Sequence, residues 1–152
     1  MADKKKLTRR ESRELAFKLV FAKDFDAEAD ASDYYDRYTD DEDTLTNEYV
    51  EAVFKGVCEN REYIDNAIET SSSNWKLSRM SNTTKAILRL AVYEMLFTDT
   101  PVKVVINEAV DIIKLYDDEN APAFVNGILN NIGHVHGKIA ETQAVRRKDV
   151  DK

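Results

Sequence analysis

Apolar residues return along this chain every three or four positions, the interval that places them on one face of a helix. Thr8-Arg9-Arg10-Glu11 has the Thr-x-x-Glu spacing of a capping box, so a first helix is predicted from Arg9 to Ala22. Leu15, Leu19 and Ala22 form its apolar stripe, with Ser12 and Ala16 on the flank. On the other side Arg9, Arg10, Arg13, Phe17 and Phe21 fall within roughly a third of a turn of one another, and Lys6 joins them if the helix frays backwards. A longer helix is predicted from Thr46 to Glu69 on Val50, Val53, Val57, Ile64, Ala67 and Ile68, with Gly56 and Cys58 permitting close packing. Ser71-Ser72-Ser73-Asn74 interrupts the pattern, Trp75-Lys76-Leu77 opens a short segment, and Ser81 caps the next helix. From Ile87 to Phe97 that helix is apolar almost all the way round, the signature of an element buried by several neighbours.

Pro101 breaks the chain and starts a helix carrying Val104, Val105, Ile106, Ala109, Val110, Ile112, Ile113 and Leu115. Asp117-Asp118-Glu119-Asn120 supplies capping oxygens for a last helix, in which Pro122 occupies the first turn. Phe124, Val125, Ile128, Leu129 and Ile132 are its core stripe, and Gly133 is expected to end it. The reading is an all-α fold, a single compact bundle of six to seven helices.

Composition agrees, since two prolines and four glycines in 152 residues leave little of the turn chemistry an all-β fold requires. The length suits one domain able to bury a core without disulfides. Residues 8–136 are expected to form it, between a flexible basic arm over 1–7 and a flexible charged tail over 137–152. The N-terminus lacks a signal-like apolar stretch and no run approaches membrane-span length, so a cytoplasmic protein without membrane contact is expected.

Charge changes the picture more. The chain carries a formal net charge of −7, yet six of its first thirteen residues are Lys or Arg. An acidic surface repels nucleic acid, so attraction for phosphate must come from a local patch acting within about a Debye length, ~8 Å at physiological salt. Between Lys23 and Asp43 ten carboxylates face two basic residues, the composition of a solvated connector, within which Tyr34, Tyr35 and Tyr38 have the spacing of a short amphipathic helix.

Single-stranded RNA is held by cations along its phosphates and by flat groups stacked on splayed bases, and the first helix offers both. The alternative is a solvated face in which Arg9, Arg10 and Arg13 pair with Glu11, Glu14 or the acidic connector. At least one of Phe17 and Phe21 is expected in the core, with Phe21 the exposed ring. Arg89, Glu94 and Glu108 sit among apolar residues and each needs a partner, which points to a structural ion-pair network. A catalytic acid–base pair is disfavoured because no nucleophile or histidine lies near them in sequence. Asn107 and Asn126 are read as bonding to helix ends or backbone, His134 and His136 as surface residues, and Cys58 as a small buried apolar residue. No glycine-rich phosphate loop occurs, so nucleotide hydrolysis is unsupported.

Three stretches taken together, Arg9-Arg10-Glu11-Ser12-Arg13-Glu14-Leu15-Ala16, Ala86-Ile87-Leu88-Arg89-Leu90-Ala91-Val92-Tyr93-Glu94, and Lys103-Val104-Val105-Ile106-Asn107-Glu108-Ala109-Val110 running into Phe124-Val125-Asn126-Gly127-Ile128-Leu129, resemble the NusB family of transcription antitermination factors. The resemblance implies a compact helical fold of the NusB type that binds a single-stranded boxA-type RNA with the ribosomal protein NusE, in an antitermination complex with RNA polymerase. It implies no catalytic activity, cofactor or metal. Carried over, the arginine-rich motif falls on Arg9, Arg10 and Arg13, a later RNA-contacting region lies near Asn120 and Phe124, and Phe21 is an aromatic facing RNA. Lys4, Lys5 and Lys6 add a flexible electrostatic supplement.

Relatives commonly carry an acidic residue where this chain has Thr84, and often an Asp where it has Asn120. Losing a carboxylate beside an RNA-facing patch lowers phosphate repulsion, so RNA binding at least as strong as in an Asp version is expected. Two other readings stay open: a helical protein–protein adaptor or homodimer that masks the arginine face, and a NusB-like domain serving RNA methyltransferase activity, for which a catalytic domain would have to come from another chain.

Overall fold

The computed structural model describes residues 6–41, 44–72 and 76–137, within which seven α-helices form one bundle. Lys4 and Lys5, Trp75 and residues 138–152 of the expected tail lie outside the described residues. Helix α1 (Arg9–Lys23) begins at the anticipated capping box: the Thr8 hydroxyl accepts from the Glu11 N–H at 3.0 Å and Glu11 Oε1 accepts from the Thr8 N–H at 2.9 Å. Its buried side differs from the expected stripe. Ser12, Arg13, Ala16, Phe17, Leu19, Val20 and Lys23 are buried, whereas Leu15 and Ala22 are only half-buried. Part of the cation and aromatic side has turned inward because Glu94 supplies a carboxylate for Arg13. Buried Lys23 closes the helix by donating to the carbonyls of Asp26 and Ala27.

Helix α2 (Ala31–Tyr38) is the short amphipathic helix of the connector, capped by Asp30 and packed through Tyr34 and Tyr35 onto Phe54. The long helix expected over 46–69 is instead two, α3 (Glu48–Glu59) and α4 (Arg61–Ser71). Asn60 separates them: its side-chain amide donates to the Gly56 carbonyl at 2.8 Å, a local bond that competes with helix continuation. Val57 and Ile64 are seven residues apart, so a continuous helix and a broken one give nearly the same apolar pattern here.

Helix α5 (Asn82–Phe97) runs through the middle and touches α1, α3, α4, α6 (Val102–Ile113) and α7 (Ala121–Val135). Ser81 caps it by accepting from the Thr84 N–H at 3.1 Å. Gly56 on α3 lets α5 approach, for a Cβ there would lie 2.3 Å from the Tyr93 ring, which itself stacks on Phe97. Helix α7 does not end at Gly133, which is buried inside it. The terminator is Gly137, whose φ of +69° is the left-handed conformation glycine adopts without cost.

The segment between α6 and α7 was expected to cap α7, but Asn120 makes no side-chain cap and Asp117 serves α5 instead. Asp117 Oδ2 accepts from the hydroxyls of Ser81 (2.5 Å), Thr83 (2.5 Å) and Thr84 (3.0 Å), and Oδ1 from the Asp118 N–H (2.7 Å). Burial alone would raise its pKa, but the Ser81 and Thr83 hydroxyls, the Asp118 N–H and the Thr84 hydroxyl outweigh that and hold it below the usual aspartate value.

Gly56→Ala is expected to destabilise the fold by about 1–3 kcal/mol in urea unfolding. In a Tyr93→Ala background the same change should stabilise by up to about 1 kcal/mol through helix propensity; equal losses in both backgrounds would reject the Tyr93 contact as the cause. For Asp117→Asn we expect a loss of about 1–2 kcal/mol at neutral pH, towards the lower end for charged hydrogen bonds because the site is open to solvent. A carboxylate with a depressed folded pKa stabilises fully above its unfolded value and loses that effect as pH falls through the folded one. Melting curves across pH should therefore show a shallower acid limb in Asp117→Asn than in the wild type, and superimposable limbs would contradict the assignment.

Candidate nucleic-acid interface

The first turns of α1 sort their three arginines into three environments. Arg9 is exposed and lies over Tyr49 at the start of α3, its guanidinium carbon 4.0 Å from the ring centroid. Arg10 is half-exposed and clamped: Nε donates to Glu108 Oε1 at 2.9 Å, and Nη2 to Glu108 Oε2 at 2.7 Å and Asp111 Oδ2 at 2.8 Å. These bonds raise the Arg10 pKa further and hold the Glu108 carboxyl below its usual value against partial burial. Arg13 is buried, 7% exposed, and meets Glu94 of α5, 1% exposed, through Nε to Oε1 at 2.8 Å and Nη2 to Oε2 at 3.3 Å. Burial pulls the Arg13 pKa down, but Glu94 more than reverses this, so the guanidinium keeps its charge. The buried Tyr49 phenol beside it is raised, first by burial and then by the Glu94 charge.

The aromatic residues divide in the same way. Phe17 is in the core, 5.1 Å from the Tyr116 ring, whereas Phe21 is half-buried and meets Phe25 edge-on at 5.2 Å. Phe25 is 67% exposed. Lys6 is exposed just ahead of the helix, and Lys18 extends from α1 over Tyr116 with Nζ 5.9 Å from the ring centroid. The Tyr116 hydroxyl donates to Glu14, and burial followed by that carboxylate pushes its pKa up to about 12. Tyr116 thereby ties α1 to the segment that leads into α7.

At the far end of that segment lies an open cavity of about 380 Å³, lined by Arg79, Met80, Ser81, Thr84, Asp117, Asp118, Asn120, Ala121 and Phe124. It contains the Asn120 and Phe124 singled out from the sequence, Asn120 exposed and Phe124 half-buried. Phe25, Lys18, Tyr49 and Arg79 were not anticipated. Lys18 was within reach of the helical projection, four residues after Glu14. Tyr49 and Arg79 belong to other elements, and only packing brings Tyr49 to Arg9 and Arg79 to the cavity.

The remaining buried charges form a separate brace. Arg89 donates to Asp65 at 2.8 and 3.2 Å and lies 3.4 Å from Asp24, while Arg61 binds the same two carboxylates. The expected ion-pair network is present in these two clusters. Among the described residues no group of three or more His, Cys, Asp or Glu is arranged to hold a metal ion. The groups that face solvent around α1 and the cavity are cations, aromatic rings, an amide, hydroxyls and the carboxylates of Asp111 and Asp118, a set suited to recognition.

The NusB family model matches residues 10–134. The transcription antitermination protein NusB of Clostridium acetobutylicum is 43% identical over 129 residues, spanning 83% of this chain and 95% of that protein. Its counterpart in Trichlorobacter lovleyi is 45% identical over 127 residues, spanning 82% and 89%. Among solved structures, T. maritima NusB matches with a TM-score of 0.75 at 35% identity, covering 86% of this chain and 93% of that one. A crystal structure of antitermination factors NusB and NusE in complex with dsRNA matches with a TM-score of 0.73 at 26% identity, covering 84% and 96%. With sequence and fold agreeing over nearly the whole helical body, this chain belongs to the NusB family.

Proposed function

We propose that this protein is an RNA-binding transcription antitermination factor that recognises a single-stranded boxA-type element together with the ribosomal protein NusE, within a complex that includes RNA polymerase. The observation that carries the reading is that exposed cations, Lys6, Arg9 and Lys18, stand on or just ahead of α1 with the Phe21–Phe25 ring pair at its end, in a protein whose net charge is −7. Its work is binding rather than catalysis, and its cofactor requirement is none. Lys6 and Arg9 attract the phosphates, with Lys4 and Lys5 extending the same field, while Phe21 offers a stacking plane and Asn120 and Phe124 a second contact region. Arg10 contributes its outer edge from the Glu108–Asp111 clamp.

In this reading Arg13 is a positioning residue. Its guanidinium spends itself on Glu94 and fixes the pitch at which α1 presents Arg9 and Arg10. The solved NusB–NusE–RNA assembly supports the pairing of RNA with NusE as partners. Simultaneous binding to one rigid scaffold makes the coupling reciprocal, so each ligand raises the affinity of the other by the same factor. No helix among the described residues is long and apolar enough to cross a membrane, and a cytoplasmic site of action fits the proposed partners. Homodimerisation through the exposed Phe25 would mask this face and oppose RNA binding.

A salt series with a boxA-type single strand tests the assignment. Arg9→Ala and Arg10→Ala should each weaken binding and reduce the salt slope by up to about 0.7, the value per phosphate neutralised on single strands. Arg13→Ala should instead lose about 3–5 kcal/mol of folding stability, because it leaves Glu94 buried without a partner. Unchanged affinity and slope in both surface variants would reject the site. Asn120→Asp should weaken RNA binding at low salt, with the difference shrinking as salt rises; equal affinity across the series would remove Asn120 from the electrostatic account.

A further inference from the structure

Helix α5 has 16 residues, so its start at the cavity and its end at Phe97 lie about 24 Å apart. The far end carries an aromatic cluster that the RNA-binding reading does not use. Phe97 is 42% exposed and Tyr63, in the first turn of α4, is 52% exposed, and their rings meet edge to face at 5.8 Å. Tyr93 stacks on Phe97 at 5.3 Å with an interplanar angle of 11°. It reaches that position only because Gly56 of α3 has no Cβ in its path. Two large rings are therefore fixed by packing while about half of their surface stays in solvent.

The charges beside these rings in the chain are negative. Glu62 precedes Tyr63, Glu59 ends α3 and Asp99 follows Phe97 by two residues; all three are exposed and have no ion-pair partner among the described residues. The cations nearest in the chain are already committed, Lys55 to Glu51 and Arg61 to Asp24 and Asp65. Arg9 stands on Tyr49 at the other end of α3, and Lys103 is in the first turn of α6. Helix α5 also brings its negative end here, with no basic residue in its last turn and the Thr98 hydroxyl donating to the Glu94 carbonyl at 2.6 Å. Carboxylates, a helix C-terminus and the electron-rich faces of aromatic rings all attract a cation. They repel RNA and anionic lipid alike.

We propose that the Tyr63–Phe97 face docks a basic segment of a partner protein, which lays an Arg side chain on the two rings and sets its charge among Glu62, Asp99 and the end of α5. Charge complementarity selects this occupant. A purely apolar segment would cover the rings but leave the surrounding carboxylates without a counter-charge. A second copy of this chain would have to bring a cation from its own α1 face, a head-to-tail contact that builds rings or open chains rather than a two-fold dimer. Arg suits the site better than Lys because a planar guanidinium stacks on a ring, as Arg9 does over Tyr49 in this same protein. The proposal does not depend on the RNA-binding reading.

The test follows the backbone amides of the full chain by NMR while short peptides are added as probes: Gly-Arg-Leu-Arg-Gly, and the same peptide with both Arg replaced by Gln or by Glu. The Arg peptide should shift amides within 59–66 and 93–100, and the Gln and Glu peptides should leave them in place. Tyr63→Leu and Phe97→Leu keep apolar area but remove a ring face, so each should weaken the Arg peptide about two- to fivefold, the range of an exposed cation–π contact. Glu62→Gln combined with Asp99→Asn should weaken it by a similar factor at low salt and by less as salt rises. Melting curves check that each variant folds, and the comparison of the three peptides on the wild type needs no variant at all. Equal shifts from the Gln peptide, shifts centred on the acidic residues of 24–41, or unchanged affinity in both Leu variants would each overturn the proposal. So would a mass in sedimentation that rises with concentration in the wild type and not in Phe97→Leu, which would give the face to a second copy.

Discussion

Helix α5 buries two opposite charges, Arg89 and Glu94, in the middle of the bundle, and neither can stay there alone. Arg13 of α1 answers Glu94, and Asp65 of α4 with Asp24 beyond α1 answers Arg89. Apolar packing brings helices together without much preference for rotation or register. A buried ion pair does have such a preference, because its hydrogen bonds form only when both helices present the right turn. The two pairs therefore fix how α1 and α4 dock on α5, and the surface presented by α1 follows from that docking.

The same requirement divides the arginine-rich start of α1 between architecture and recognition. Arg13 is drawn inward, Arg10 is shared between the surface and the carboxylates of α6, and Arg9 is left outside on Tyr49. A cluster of six basic residues in thirteen thus presents less available charge than its composition suggests. What it loses in charge it gains in definition, since clamped and stacked guanidiniums lose less conformational freedom on meeting a phosphate than loose ones do. In the proposed function, such definition on an acidic protein confines nucleic-acid binding to one face.

A second carboxylate does for the loop before α7 what Glu94 does for α1. Asp117 collects three hydroxyls at the start of α5 and anchors the segment carrying Asn120 and Phe124. Thr84 is one of those donors, and a carboxylate in its place would repel Asp117 instead. Tyr116 then joins this anchored loop to α1 through Phe17 and Glu14.

Much of the fold was legible in the sequence because it is governed by local rules. The Thr8 capping box, the Ser81 cap, the all-round apolar α5 and Pro122 in the first turn of α7 all appear where the residues place them. The break at Asn60 was hidden because the seven-residue step from Val57 to Ile64 preserves the helical phase on either side of it. Gly133 was taken for a terminator that Gly137 supplies, since composition does not reveal backbone φ. The need of Arg89, Glu94 and Glu108 for partners could be read from their apolar surroundings, but not which partners they find. The sequence by itself determined the helices, their order and the concentration of basic charge at one end. Only the tertiary structure decided which arginines are spent internally, and it alone brought Tyr49 under Arg9 and gathered Arg79, Asp117 and Phe124 around one cavity, because ion pairs and cavities join residues far apart in the chain through geometry that no local periodicity encodes.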